Sequence, residues 1–238
     1  MRERIFASRQ ERRRQMKILW IKRLLLVAVL FNLLQMCALR TYRLDSEVMA
    51  PLYHRGAFLV ATPLAYGLDL DWLGVPLPRW REPARGDVVV AVSPFWDPPE
   101  GAAGVGLRLL DYVTGGRWIP GPGWRVHYVV LRVVGLPGER IRVRDDVVYV
   151  RGADERGWVS EEVLLPGMTR LRGGGEGPPP FDRVIPALQE EMVLGEGEYF
   201  LVGDNRRLVA DSRIFGPFER WRIRAMVMWA PIRGGGEE

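Results

Sequence analysis

The 238-residue sequence contains one cysteine and only two lysines. Each scarcity excludes something. A single cysteine cannot form an intrachain disulfide. This one, Cys37, lies within an apolar run near the N-terminus, so the remainder of the chain folds without such a bond. The lysines, Lys17 and Lys22, stand at the start of the same run, and no lysine follows them. The rest of the chain therefore has no side-chain amine to act as a base. Histidine is equally scarce, with His54 and His127 alone. No metal cluster or cofactor motif is evident, so neither a metal nor a cofactor is expected. "GGGEG" (173–177) lacks the Lys-Ser/Thr that a phosphate loop needs. No internal repeat is present.

Basic residues are also missing where a nucleic-acid partner would need them. The net charge is +5, but residues 1–23 hold nine Lys/Arg against two Glu, or +7. The remaining residues hold 25 basic and 27 acidic groups, or −2. Nucleic-acid binding calls for a basic face on the folded part. No basic run occurs there, and no nucleic-acid partner is expected.

The basic head leads into "LLLVAVLFNLLQMCAL", residues 24–39. Sixteen residues make about 24 Å of helix, short of a hydrocarbon core of about 30 Å. Adding "ILWI" (18–21) lengthens it, and Lys22 and Arg23 can snorkel toward headgroups. No A-x-A site marks a cleaved signal peptide, and the run has no polar face to suit an amphipathic core helix. The expectation is a basic cytoplasmic N-terminus at 1–17 and an uncleaved single-pass anchor at 18–42. By the positive-inside rule, residues 43–238 then lie outside the cytoplasmic membrane.

With 27 Gly, 18 Pro and many short Val-rich runs, that outer part reads as mainly β. Strands are expected in "RGAFLVA" (55–61), "GDVVVAVSP" (86–94), a meander over 126–152 turning at "LPGE", "GEYFLVGDN" (197–205) and "AMVMWAP" (225–231). Residues 95–125 and 153–196 read as insertions, the second forming a smaller cap.

Four segments in order resemble the signal peptidase I family, the membrane-anchored Ser/Lys proteases that remove signal peptides. "SEVMAPLYHRGAFLV" is similar to the family's S-x-S-M-x-P-T-L box. "RGDVVVAVSP" is similar to R-G-D-I-V-V-F-x-x-P, and "LRVVGLPGERI" to K-R-V-I-G-L-P-G-D. "GEYFLVGDNRRLVADSRIFGPF" is similar to Y-F-x-x-G-D-N-R-x-x-S-x-D-S-R-x-x-G-x-V. The resemblance implies a signal-peptidase-type twisted, barrel-like β domain behind a transmembrane helix.

Carried over by position, three roles fail. The nucleophilic serine falls on Val48, the general-base lysine on Leu131, and the serine that hydrogen-bonds the lysine on Val209. Ser46 stands where a serine assists the oxyanion hole. Asp204, Asn205, Asp211, Ser212 and Arg213 remain as the scaffold of the fourth box. Valine has no lone pair to attack a carbonyl. Leucine has no basic nitrogen, and a Ser/Lys protease works only when apolar burial keeps its lysine neutral. His127, used by analogy with relatives that carry His at the lysine position, is four residues from Leu131, about 13 Å along a strand. Removing one member of a buried polar trio strands the others at about 1–3 kcal/mol each, whereas replacing all of them with apolar groups can be near neutral. The pattern therefore resembles a former site converted to core.

Three readings follow. One is a catalytically inactive homologue that binds preproteins, an envelope partner or an active paralogue. Another is an active signal peptidase I using substitute groups such as Ser46 with His127. The third is a structural membrane protein with no peptide ligand. The residues favour the first.

Overall fold

The computed structural model describes residues 15–31, 39–67, 81–96, 101, 104, 106–107, 110, 127–168, 191–208 and 211–232. Among the described residues, eleven strands run in chain order: β1 (Arg40–Arg43), β2 (Phe58–Thr62), β3 (Val88–Val92), β4 (Tyr128–Gly135), β5 (Arg140–Arg144), β6 (Val147–Arg151), β7 (Val159–Ser160), β8 (Met192–Val193), β9 (Glu198–Val202), β10 (Phe218–Glu219) and β11 (Ile223–Ile232). They form a seven-stranded sheet, ordered β1-β2-β11-β3-β4-β9-β10, and a four-stranded sheet, ordered β7-β6-β5-β8. Every pairing is antiparallel. The domain is mainly β, as its Val-rich runs suggest. β7 and β8 come from the second insertion and build the small sheet out from the β5–β6 hairpin.

Burial follows the side-chain pattern of each strand. β3 is "VVVAV" and buried throughout, as a central strand covered on both faces should be. β5, "RIRVR", alternates: Ile141 and Val143 are buried while Arg140 and Arg144 are exposed. The β5–β6 turn places Asp145 and Asp146 at φ 50° and 61°. Two positive φ values in a two-residue loop suit the right-handed twist of a hairpin.

β9 divides the interior. Tyr199 and Leu201 belong to the larger apolar cluster with Val48, Met49, Leu59, Val89 and Leu131. Phe200 and Val202 belong to a second cluster with Val134, Ile141, Val148 and Leu194. Successive residues of one strand thus serve two cores. Gly135 makes the second core possible: a Cβ there would lie 2.7 Å from Ile141 and 2.8 Å from Phe200.

One boundary shifts. The expected anchor ran to residue 42, but Arg40–Tyr42 belong to β1, with Arg40 opposite Ala61 and Tyr42 opposite Leu59. Thr41 and Tyr42 are good strand formers, and pairing with β2 decides their state. Residues 15–31 are helical and exposed throughout, Leu24 at 72%. No helix among the described residues is long and apolar enough to cross a membrane. Residues 32–38 lie outside the described residues, as do most of the first insertion and residues 169–190 of the second.

Candidate functional site

Val48 and Leu131, where the sequence resemblance sets the family's serine and lysine, converge on one glycine. Across β4 and β9, Arg132 pairs with Val202 and Val133 with Leu201. Continued by one residue, that register sets Leu131 opposite Gly203. Directly opposed residues of an antiparallel pair point to the same face. On that face a Cβ on Gly203 would meet Val48 Cγ2 at 2.6 Å and the Val48 carbonyl oxygen at 2.7 Å. Val48 therefore sits directly over Gly203, beside Leu131. Both are buried in the larger apolar cluster, Val48 at 5% exposure and Leu131 at 0%. Burying a side chain of this size contributes about 1.5–3 kcal/mol. Neither side chain can attack a carbonyl or accept a proton.

The opposite face of the same strand pair is polar. Arg132 follows Leu131 and so points the other way. Its Nε and Nη2 donate to the two carboxylate oxygens of Asp204 at 2.8 and 2.6 Å. Its Nη1 donates to the Gly86 carbonyl at 2.9 Å. Asn205 turns back to the first box: its backbone N–H donates to the Val48 carbonyl at 3.0 Å, and its Nδ2 to the Glu47 carbonyl at 3.0 Å. Four boxes that are remote in sequence are thus tied through Asn205, Asp204 and Arg132. The sequence suggested bracing within the fourth box alone. A carboxylate or amide shows no sign of its partner when that partner lies 72 or 158 residues away.

Further along the fourth box a buried charged cluster holds the loop. Asp211 caps the one-turn helix Ser212–Phe215 by accepting from the Arg213 N–H, and it accepts from the Gly203 N–H at 3.1 Å. Arg213 answers with Nε and Nη2 on Asp211, each at 2.9 Å, and reaches Asp146 at 3.2 Å. Burial alone would depress the Arg213 guanidinium. The charge and hydrogen bonds of Asp211, with Asp146 and Glu161, hold it above its ordinary range instead. Ser212 Oγ accepts from the Leu201 N–H at 2.9 Å. Arg206 pairs with Glu161 at 2.7 Å, the two side chains 1% and 0% exposed. Glu161 opens the one-turn helix Glu161–Leu164, so this pair joins the small sheet's side of the molecule to the fourth box. Sequence reasoning missed Glu161, Arg206 and Gly203. The signal was faint: a glutamate in an insertion, and the Arg and Gly within "GDNR".

Other expected site residues stay apart from this centre. Ser46 is exposed. His54 Nδ1 lies 3.2 Å from a carboxylate oxygen of Glu47, and Glu47 also accepts from the Arg55 N–H at 2.9 Å. His127 is exposed just before β4, and its carbonyl accepts from the Ser93 N–H at 2.7 Å. Val209 lies outside the described residues.

Residues 17–230 match the family model described as signal peptidase, peptidase S26. The chain belongs to that family. Among curated S26 relatives, it is 34% identical over 112 residues to signal peptidase I V of Bacillus subtilis (strain 168), covering 45% of this chain and 58% of that protein. It is 29% identical over 167 residues to signal peptidase I of Rickettsia prowazekii (strain Madrid E), covering 63% of this chain and 53% of that protein. Against signal peptidase I of Bacillus licheniformis it is 25% identical over 200 residues, covering 82% and 76%. The chain thus spans 58% and 53% of the first two relatives. A crystal structure of signal peptidase I from Enterococcus faecalis V583 aligns at 23% identity over 62% of this chain and 98% of that one, with a TM-score of 0.35.

Proposed function

We propose that this S26 member is a membrane-anchored pseudoenzyme that holds a preprotein or an envelope partner without cutting it. The observation that carries the reading is the filling of the Gly203 platform. Where the family pattern places its serine and lysine, Val48 and Leu131 pack against the glycine as ordinary core. Substitution of both polar groups by apolar ones leaves no stranded donor between them. The retained ties from Asn205, Asp204 and Arg132 keep the frame of a binding surface in place.

The anchor reading rests on the helix at 15–31, which is exposed throughout and, past Arg23, apolar on every side from Leu24 to Phe31. A helix of that character belongs in a protein core or a lipid phase. The +7 head puts the N-terminus in the cytoplasm and the β domain outside. A reporter fused after Glu238 is expected outside the cytoplasm, and cytoplasmic activity of the fusion would reverse the orientation.

The deciding experiment incubates a preprotein with the purified full-length chain in detergent and follows cleavage by gel shift. Wild type is expected to cut nothing. Val48→Ser alone also stays silent, because a serine beside Leu131 has no base to activate it. Leu131→Lys adds the amine without its hydroxyl partner at 209. The triple variant Val48→Ser, Leu131→Lys, Val209→Ser is expected to be the first with measurable activity. That activity should be weak, since a misplacement of about 1 Å can cost about 100-fold. Specific cleavage by wild type, lost in Ser46→Ala or His127→Ala, would replace this reading with substitute catalytic groups.

A further inference from the structure

We infer that the outer face of the β5–β6–β7 sheet is a docking surface for an acidic peptide segment of a partner protein. This goes beyond the pseudoenzyme reading and holds whether or not the chain cleaves. The pleat puts Arg140, Arg142 and Arg144 of β5 on one face, because their alternates Ile141 and Val143 are buried. The register sets Arg140 opposite Arg151, Arg142 opposite Tyr149 and Arg144 opposite Val147. One face of two short strands therefore carries four guanidinium groups.

The face already displays carboxylate capture. Glu191 bridges the opposed pair, bonding Arg140 and, at 2.9 Å, Arg151. The hydrogen bond from Arg140 leads in holding that carboxyl below the usual carboxylate range. One step along the face the same chemistry is offered again. Arg142 stacks over Trp158 at 4.4 Å and over Tyr149 at 5.6 Å, and Arg151 stacks over the same indole at 4.7 Å. Stacking orients the guanidinium plane without occupying its in-plane N–H donors. Among the described residues no carboxylate pairs with Arg142 or Arg144, and the Arg142 Nε is buried without a hydrogen-bond partner. Nearby acids serve other roles: Asp146 turns to Arg213, and Glu155 accepts from the Gly152 N–H. Guanidinium forks match planar carboxylates in two-point contacts. A second and third carboxylate spaced along an extended acidic segment would continue the pattern that Glu191 begins.

A membrane headgroup fits the position poorly. The strand order puts β4, which leads into this sheet, four strand spacings from β1, where the chain leaves the N-terminal helix. At about 4.8 Å per spacing that is about 19 Å along the sheet.

The test titrates a fluorescein-labelled hexaglutamate peptide with full-length protein in detergent at low salt and reads anisotropy. The basic head could bind the same probe, so two variants are compared. Arg142→Gln with Arg144→Gln is expected to weaken binding about tenfold, the loss of one or two charge-assisted contacts. Arg12→Gln with Arg13→Gln and Arg14→Gln is expected to leave most of it. Should the first variant misfold, the exposed Arg144→Glu alone must still weaken binding. Binding unchanged in the face variants, or lost only in the head variant, overturns the inference. So does an absence of binding by wild type. Phosphatidylglycerol vesicles or inorganic polyphosphate binding more tightly than the peptide, charge for charge, would assign the face to a membrane or a phosphate polymer instead.

Discussion

Leu131 and Arg132 are neighbours in sequence and opposites in fate. Leu131 faces an apolar cluster where the family pattern has a lysine; Arg132 faces Asp204 where the pattern has an arginine, and the pair is intact. The two sides of one strand pair have therefore been treated differently. On the apolar side, the two positions that the sequence resemblance sets at the family's serine and lysine carry hydrocarbons, Val48 and Leu131. On the polar side, both partners remain. The lesson concerns partnership: a buried charge survives with its counterpart or is replaced altogether, because half a pair is the costly state.

Breaking that partnership should give the largest effect. Asp204→Leu strands the Arg132 guanidinium and is expected to cost about 3–5 kcal/mol by urea unfolding. Arg132→Met combined with Asp204→Leu should cost far less than either single change. If the double variant is as unstable as the single ones, the contrast between the two faces fails. Next comes Leu131→Ala, expected to cost about 3 kcal/mol through lost transfer energy and a cavity. A value near zero would mean that this side is loosely packed and not true core.

Gly203→Ala probes the contact between them. The new methyl would overlap both Val48 Cγ2 and the Val48 carbonyl, so a cost of about 1–3 kcal/mol is expected. Combining it with Val48→Ser should recover only part of the loss, because the backbone clash persists. Full recovery would place the strain in the side chain alone. The smallest effect is a pH dependence elsewhere in the larger core. Tyr66 donates to Asp87 at 2.9 Å; burial first, then the Asp87 charge and this bond, push its phenol well above the ordinary range. An unfolded tyrosine loses its proton near pH about 10. The folded form keeps it, so this contribution is complete below that pH and falls as pH rises past it. Tyr66→Phe should shallow the decline in unfolding midpoint on the alkaline side. An unchanged slope would show that Tyr66 adds nothing to it.

Much of the frame was legible because its signals are local. The runs "VVVAV" and "YVVLRVVG" announce β3 and β4 by composition, and the four boxes identify the family in order. β1 was missed because "RTYR" follows an apolar run and joins a sheet only through β2. β7, β8 and β10 are two residues each, too short to show a period. At the site, the apolar character of positions 48 and 131 was legible. Their meeting over Gly203 was not, since a glycine carries no side chain to advertise what lies against it. The Glu161–Arg206 pair was equally hidden, because each charge reads as surface until the fold supplies the other.

β9 lends one residue to each core in turn, and this has a kinetic consequence. Opening either sheet by itself would expose half of that strand's side chains while the other half stayed packed. Partial opening is therefore poorly rewarded, and the domain should open as one cooperative unit. In native-state hydrogen exchange, the amides of Phe200, Leu201 and Val202 should be among the last to exchange. Their protection should approach that of global unfolding, while amides in the exposed helix at 15–31 exchange early in detergent-free solution.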